Sequence, residues 1–204
     1  MNKKILIFGI LVFLAVTGFM VFKKDPQSAK PTSGKNIIAF GDSLVYGVGA
    51  DKDKDFVSQL AGLTGRQILN AGKSGDTTAA ALNRLDQDVL QKEPKIVIVI
   101  LGGNDILRRV PKQQTLANLR GIISKIQATG AAVILGGVDS GFIIGNLSGD
   151  YKKLAKDMKV SFVPDILGGI INKKELMYDA IHPNSEGYKI MAEKFVAPLS
   201  ELLK

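Results

Sequence analysis

The chain has 204 residues, 46% of them apolar, and carries a formal net charge of +8 with one histidine and no cysteine. The absence of cysteine excludes disulfides, lipid attachment through cysteine and thiolate metal sites. The lysines are scattered, without interleaved aromatic residues or a recognised binding motif, so the charge favours a solvated basic surface facing anionic lipid or cell wall and no nucleic-acid partner.

The first predicted element is an uncharged apolar run over residues 5–22, with a pair of lysines on each side. As a helix its 18 residues would extend about 27 Å, close to the hydrocarbon thickness of a bilayer. A cleaved signal peptide shares the basic start and the apolar run, but residues 20–22 (Met-Val-Phe) are bulky where a cleavage site needs small side chains. We therefore expect an uncleaved single-pass membrane anchor within residues 1–22, and secretion is the alternative if the segment is cleaved. The short tail before the run favours an extracytoplasmic domain, although lysines at both ends weaken the positive-inside argument.

The next segment, residues 23–35, is rich in proline, serine and lysine and has no apolar periodicity. This composition predicts a flexible tether. Residues 36–204 suit one domain with a complete hydrophobic core.

Short runs rich in β-branched residues alternate with helical stretches along this domain. Strands are predicted at residues 36–40, 67–70, 95–101, 131–138 and 160–163. Helices are predicted at residues 55–63 (with Asp55 as N-cap), 78–91, 113–129, 149–158 and 184–203. The run 96–100 lacks polar alternation, as expected of a strand buried on both faces of a parallel sheet. The alternation predicts a doubly wound α/β fold, while residues 139–148 form a loop without an assignment.

Small and polar residues follow three of the predicted strands. In open α/β sheets ligands bind outside the carboxyl ends of the strands. These ends carry the segments Gly41-Asp42-Ser43, residues 71–77 and Gly102-Gly103-Asn104-Asp105. The loop before the last helix adds Asp179 and His182, so we expect all of these groups at one edge of the sheet.

Together these residues suit acyl transfer. Ser43 offers a hydroxyl, which is a weak nucleophile and needs an adjacent base. His182 is the one imidazole in the chain, and Asp179 precedes it by three residues, which suits a carboxylate that orients a base. The resulting oxyanion needs preorganised donors, and the candidates are the N–H groups of Ser43 and Gly75 and the amide of Asn104.

Other interpretations of these segments fit the sequence less well. Each segment by itself occurs in ordinary turns, and only their conjunction in this order is specific. Residues 72–74 (Gly-Lys-Ser) lack the earlier glycine of a phosphate-binding loop, because Gln67 stands there. A dinucleotide loop fails at Lys52, and a calcium loop beginning at Asp51 fails at Phe56, since both positions require glycine. One histidine without cysteine does not suit a transition-metal site.

The four segments resemble the sequence blocks of the GDSL esterase/lipases, also called SGNH hydrolases, over residues 36–204. The blocks read Gly41-Asp42-Ser43-Leu44, Asn70-Ala71-Gly72-Lys73-Ser74-Gly75-Asp76-Thr77, Leu101-Gly102-Gly103-Asn104-Asp105 and Asp179-Ala180-Ile181-His182-Pro183. The resemblance implies Ser43 as nucleophile, His182 as base and Asp179 as its partner. It also implies an oxyanion hole of Ser43, Gly75 and Asn104, a three-layer α/β/α fold with a flavodoxin-like five-stranded parallel sheet, and no metal or organic cofactor.

A closer likeness is to the bacterial thioesterase–lysophospholipase–arylesterase branch. It rests on the runs 74–77, 102–108, 113–115 and 153–156. The likeness implies that Ile106 and Leu107 contact the substrate. Residues 139–148 and the Gly168-Gly169 region depart from the branch, as do the anchor and tether, because members of the branch are usually soluble in the periplasm.

The sequence therefore predicts a membrane-tethered serine esterase acting on acyl esters or thioesters, with lipid-like substrates first and O-acetyl groups on cell-wall glycans second. A non-catalytic α/β protein that binds phosphate or a nucleotide through residues 72–74 is the rival class. The natural acyl chain, the leaving group and the oligomeric state do not follow from the sequence, because apolar pockets discriminate single methylenes only weakly.

Overall fold

The structure, a computed structural model, describes residues 29–138 and 147–204. The predicted anchor, residues 23–28 of the tether and most of the loop without an assignment lie outside these residues. Five parallel strands form one sheet, which confirms the predicted fold class, and their bounds differ from the predicted ones by at most two residues. The strands are β1 (Asn36–Gly41), β2 (Ile68–Gly72), β3 (Pro94–Ile100), β4 (Ala132–Gly136) and β5 (Ser161–Val163).

Helices follow the strands and cover both faces of the sheet. They are α1 (Ser43–Tyr46), α2 (Phe56–Thr64), α3 (Thr78–Asp88), α4 (Gly103–Leu107), α5 (Lys112–Ala128), α6 (Ser148–Met158) and α7 (Ser185–Leu202), with 3₁₀ turns at Leu90–Lys92 and Lys174–Leu176. Asp55 caps α2 as predicted, since its carboxylate accepts from the N–H groups of Val57 and Ser58. The short helices α1 and α4 were not predicted, because they are too brief to show a helical apolar period.

The central strand β3 is buried on both faces. Ile96, Ile98 and Ile100 belong to the core under α2 and α7, whereas Val97 and Val99 belong to the core under α3, α5 and α6. All five side chains are fully buried. The uninterrupted apolar run of β3 is therefore explained by its position between two layers of helices.

The strand order decides where a ligand can bind. The order is β2-β1-β3-β4-β5, so the chain runs outward from β1 in one direction and from β3 in the other. Such a switch point opens a crevice beyond the carboxyl ends of the two strands. Here β1 ends at Gly41 and β3 at Ile100, so the crevice is framed by the segments that follow them.

The end of the predicted tether lies along the surface of the domain. The N–H of Ala29 donates to the carbonyl of Lys159 at 3.2 Å, and the N–H of Thr32 donates to the carbonyl of Gly130 at 2.9 Å. Lys35 pairs with Glu93 through their side chains at 3.0 Å. Within residues 29–138 and 147–204, no helix has the length and apolar composition needed to cross a bilayer.

Candidate active site

Ser43 lies in the turn from β1 into α1, at the crevice. The carboxylate of Asp42 accepts from the N–H of Leu44 at 3.0 Å and thereby caps α1. The preceding Gly41 approaches the carbonyl of Ile100 so closely that a side chain would overlap it. The Ser43 side chain is therefore held at the sheet edge between the ends of two neighbouring strands.

His182 and Asp179 lie in the long connection between β5 and α7. One carboxylate oxygen of Asp179 accepts from the N–H groups of Ile181 at 2.9 Å and His182 at 2.8 Å, which is the geometry of an Asx turn. The other oxygen is 2.7 Å from Nδ1 of His182. This local turn orients the carboxylate and the imidazole relative to each other.

The imidazole connects the two predicted partners. Nε2 of His182 is 3.0 Å from Oγ of Ser43, across 139 positions of the chain. A ring that donates through Nδ1 to the Asp179 carboxylate leaves Nε2 free to accept the Ser43 hydroxyl proton. The three groups thus form one hydrogen-bonded chain from carboxylate to hydroxyl.

The charge of Asp179 suits this arrangement. Burial by itself would raise the pKa of Asp179, but hydrogen bonds from the imidazole and from two backbone N–H groups outweigh it and hold the pKa below its usual value. The carboxylate is therefore ionised at neutral pH. Its side chain remains 43% exposed, compared with 14% for His182.

The two remaining oxyanion candidates face the same cavity as Ser43. Gly75 follows β2 with a φ of 82°, a left-handed conformation that favours glycine. Asn104 lies in the first turn of α4, and its amide nitrogen donates to the carbonyl of Asp76 at 3.0 Å. The same nitrogen is 3.4 Å from a carboxylate oxygen of Asp42, which is long for a hydrogen bond. One amide hydrogen is thus firmly held, whereas the other is weakly held.

A buried ion pair beneath these donors did not follow from the sequence. Nε of Arg84 is 2.5 Å from the carboxylate of Asp76, and the two side chains are 14% and 7% exposed. The same guanidinium donates to the carbonyls of Gly41 at 2.9 Å and Ala71 at 3.0 Å, and it lies over the Phe40 ring at 4.5 Å. Arg84 therefore joins the end of β1 to the segment that carries Gly75.

Asp105 makes a second buried connection. It is 1% exposed and accepts from the N–H of Thr78 at 2.8 Å, from the Thr78 hydroxyl at 2.5 Å and from the Thr115 hydroxyl at 3.3 Å. These bonds attach α4, and with it Asn104, to the first turn of α3 and to α5. Only tertiary contacts reveal this role, because a carboxylate after Asn104 reads in the sequence as a turn residue.

Asp42 is a third buried carboxylate, directly before Ser43. Burial raises the pKa of Asp42 to about 6, and the nearby carboxylates of Asp76 and Asp105 add to this effect. The Leu44 N–H and the His182 charge act in the opposite direction. The GDSL block contained this residue, but the sequence offered no sign of its burial.

A cavity of about 160 Å³ opens beside Ser43 and His182. Ile106 and Leu107, the two predicted substrate contacts, both line it. Further apolar lining that the sequence did not predict comes from Val138, Leu167, Ile171 and Ile181. In the described part of the chain no three carboxylate or imidazole side chains converge as a metal site requires.

Comparisons of the sequence and of the fold with known proteins agree with each other. Residues 39–190 match the profile of the GDSL-like lipase/acylhydrolase family. An arylesterase of Vibrio mimicus is 35% identical over 188 residues, covering 87% of this chain and 92% of the relative. A thioesterase 1/protease 1/lysophospholipase L1 of Escherichia coli K12 is 34% identical over 142 residues, covering 67% and 68%. A crystal structure of TesA superposes with a TM-score of 0.74 at 28% identity, covering 82% of this chain and 99% of that one.

Proposed function

This chain belongs to the GDSL-like lipase/acylhydrolase family and is a hydrolase of ester bonds, and we propose that it cleaves acyl esters and thioesters through an acyl-enzyme on Ser43. The observation that carries the proposal is the hydrogen-bonded chain from Asp179 through His182 to Ser43, with distances of 2.7 and 3.0 Å. The names of the relatives, arylesterase and thioesterase/lysophospholipase, support esters and thioesters alike. Membership of a hydrolase family leaves the non-catalytic alternative without support.

In the first half of the reaction Ser43 Oγ attacks the acyl carbon while its proton passes to Nε2 of His182. The ionised Asp179 stabilises the imidazolium. The tetrahedral intermediate then collapses, the bond to the alcohol or thiol breaks, and the leaving group takes the proton from His182. In the second half a water molecule attacks the acyl-enzyme in the same way, which releases the carboxylic acid and restores the Ser43 hydroxyl.

The oxyanion is held by the N–H groups of Ser43 and Gly75 and by the side-chain amide of Asn104. The bond from Asn104 to the Asp76 carbonyl supports this role, because it orients the amide. The weakly held hydrogen, 3.4 Å from nitrogen to Asp42, is the one that turns towards the substrate oxygen. Donors preorganised in this way act without reorganisation during the reaction.

The cavity supports an order among the substrate classes. Its apolar lining by Ile106, Leu107 and Leu167 favours acyl chains longer than acetyl, because burial of each methylene contributes about 0.8 kcal/mol. Lipid-like esters therefore come before O-acetyl groups on glycans.

The test compares Ser43→Ala with the wild-type protein on p-nitrophenyl acetate and butyrate, followed by labelling with a fluorophosphonate. We expect loss of turnover and of labelling with an unchanged circular dichroism spectrum, since only the nucleophile is removed. Ser124→Ala, at an exposed serine of α5, is the matched control and retains both. Near-normal turnover by Ser43→Ala would exclude Ser43 as the nucleophile.

The apolar run 5–22 is proposed to hold the domain on the outer face of the cell membrane. Its support is its length and its flanking lysines. Membrane fractionation of the full chain and of a chain beginning at Ala29 tests this, and protease treatment of intact cells tests the orientation. Equal recovery of both chains in the soluble fraction would contradict the anchor.

A further inference from the structure

The connection between β5 and α7 carries two sets of groups that face the cavity. Its second half holds His182, which lines the cavity, and the partner of that imidazole, Asp179. Its first half forms a turn over residues 165–171, which places Leu167 and Ile171 in the cavity wall. This 165–171 turn includes the Gly168-Gly169 region, to which the proposed chemistry assigns no role.

Lys194 of α7 forms hydrogen bonds to the backbone of the 165–171 turn. Its ammonium group donates to the carbonyls of Asp165 at 2.7 Å, Gly168 at 2.8 Å and Ile166 at 3.3 Å. An ammonium group has three hydrogens, so three converging carbonyls account for all of them. Burial lowers the pKa of Lys194, and the Asp165 carboxylate opposes that effect.

The conformation of the turn needs such support. Asp165 has a φ of 42°, which lies in the left-handed region that side chains rarely adopt. A side chain at Gly168 would overlap the Asp165 carboxylate. The N–H of Ile166 donates to the carbonyl of Gly137 at 3.1 Å, so the turn is fixed to the end of β4 on one side and to Lys194 on the other.

We infer that the 165–171 turn is the wall against which the acyl chain of the substrate lies, and that Lys194 is a positioning residue that sets the preference for acyl chains of several carbons over acetyl. The inference rests on the proposed esterase function. Leu167 is 3% exposed and its neighbour in the turn Ile166 is fully buried, so the wall cannot be shifted without moving the turn. Lys194 is not among the residues that line the cavity, and it acts through the carbonyls of the turn.

The experiment measures kcat/KM on p-nitrophenyl esters from acetate to decanoate for the wild type, Lys194→Met and Lys189→Met. Methionine keeps an unbranched apolar stem and removes the three donors. Lys189 is exposed on the same helix, so its variant reproduces the change in charge. We expect the hexanoate-to-acetate ratio of kcat/KM to fall at least fivefold in Lys194→Met alone. Acetate turnover and fluorophosphonate labelling should remain within about twofold of the wild type, since an acetyl group has no methylene chain to lie against the wall.

An unchanged ratio, or an equal loss on acetate and hexanoate, would overturn the inference, because a merely structural role moves both substrates together. If Lys194→Met does not fold, Ile171→Ala replaces it, since Ile171 is only partly buried and its substitution is less disruptive. The hexanoate-to-acetate ratio of kcat/KM must fall in this variant too. An unchanged ratio would contradict the role of the 165–171 turn as the wall. Acetate esters of alcohols of increasing length form a second series. If Lys194→Met changed the dependence of kcat/KM on chain length only in that series, the turn would contact the leaving group, and the inference would be overturned.

Failure of the inference can be distinguished from failure of the proposed function. A wild-type protein that hydrolyses none of these esters and is not labelled contradicts the function itself. A wild-type protein that hydrolyses them all with a flat dependence on chain length contradicts only the role of the 165–171 turn.

Discussion

The two halves of the site are held in place by different means. The half with Ser43, Gly75 and Asn104 follows three strand ends and is supported by carboxylates that are almost fully buried. The half with Asp179 and His182 lies in a long connection, where hydrogen bonds within a four-residue segment orient both side chains. The first half depends on contacts distant in the chain, whereas the second is mainly a local structure.

This difference predicts where substitutions are most harmful. Among the described residues no buried side-chain nitrogen or oxygen lacks a hydrogen-bond partner. We call the half with Ser43, Gly75 and Asn104 the buried half, and the half with Asp179 and His182 the exposed half. Removing one hydrogen-bond partner in the buried half leaves a polar group that water cannot reach, and this loses free energy of stabilisation. In the exposed half, water can take the place of a lost partner.

Among the substitutions that leave the nucleophile in place, the largest effect is expected for Asn104→Ala, which removes a donor from the half with Ser43, Gly75 and Asn104. We expect kcat to fall about 10²–10³-fold with little change in KM, because the lost interaction forms in the transition state. Steady-state kinetics on p-nitrophenyl butyrate measures it, and Asn83→Ala, at an exposed position of α3, is the control. A loss confined to KM would reassign Asn104 to substrate binding.

A smaller loss is expected for Asp179→Ala in the exposed half. Water can reach Nδ1 of His182 once the 43% exposed carboxylate is gone, so we expect kcat to fall about 10–10²-fold, less than when a triad carboxylate is fully buried. The exposed Asp86 provides a control, Asp86→Ala. A loss larger than that of Asn104→Ala would contradict the contrast between the two halves.

Arg84→Lys tests the buried support without touching the reacting groups. Lysine keeps the charge but lacks the planar fork that reaches Asp76 and the carbonyls of Gly41 and Ala71 together. We expect kcat to fall about 10-fold and KM to stay within about twofold. The reason is that the segment carrying Gly75 is then no longer held in position relative to the end of β1. Arg66→Lys, at an exposed position, should leave both constants unchanged. A change in melting temperature with normal kcat would limit Arg84 to a structural role.

The smallest effect concerns the pH dependence of stability. Because burial raises the pKa of Asp42 to about 6, the native protein binds a proton at a higher pH than the unfolded chain does. The free energy of unfolding of the wild type relative to Asp42→Asn should therefore rise, by about 1 kcal/mol, as the pH falls from 7 to 5. Asp179 does not interfere, since its lowered pKa lies below that window. Urea unfolding at both pH values measures the difference, and a constant difference would contradict the raised pKa.

The sequence predicted the order of elements well and the short helices poorly. The β-branched run of β3 and the Asp55 cap are local signals, and the structure agrees with both. The helices α1 and α4 follow strand ends at the crevice and are too short to show an apolar period. Their glycine-rich starts resemble turns in the sequence, so the pattern by itself cannot distinguish the two.

By itself the sequence determined the family, the fold class and the set of candidate groups, because strand periodicity and four short blocks are encoded in neighbouring residues. Only the tertiary structure decided which groups meet. It brings Ser43 to His182 across 139 positions, joins Arg84 to the ends of two strands and places Lys194 beneath the wall of the cavity. Such contacts depend on how the layers pack, and the burial that raises the pKa of Asp42 arises in the same way.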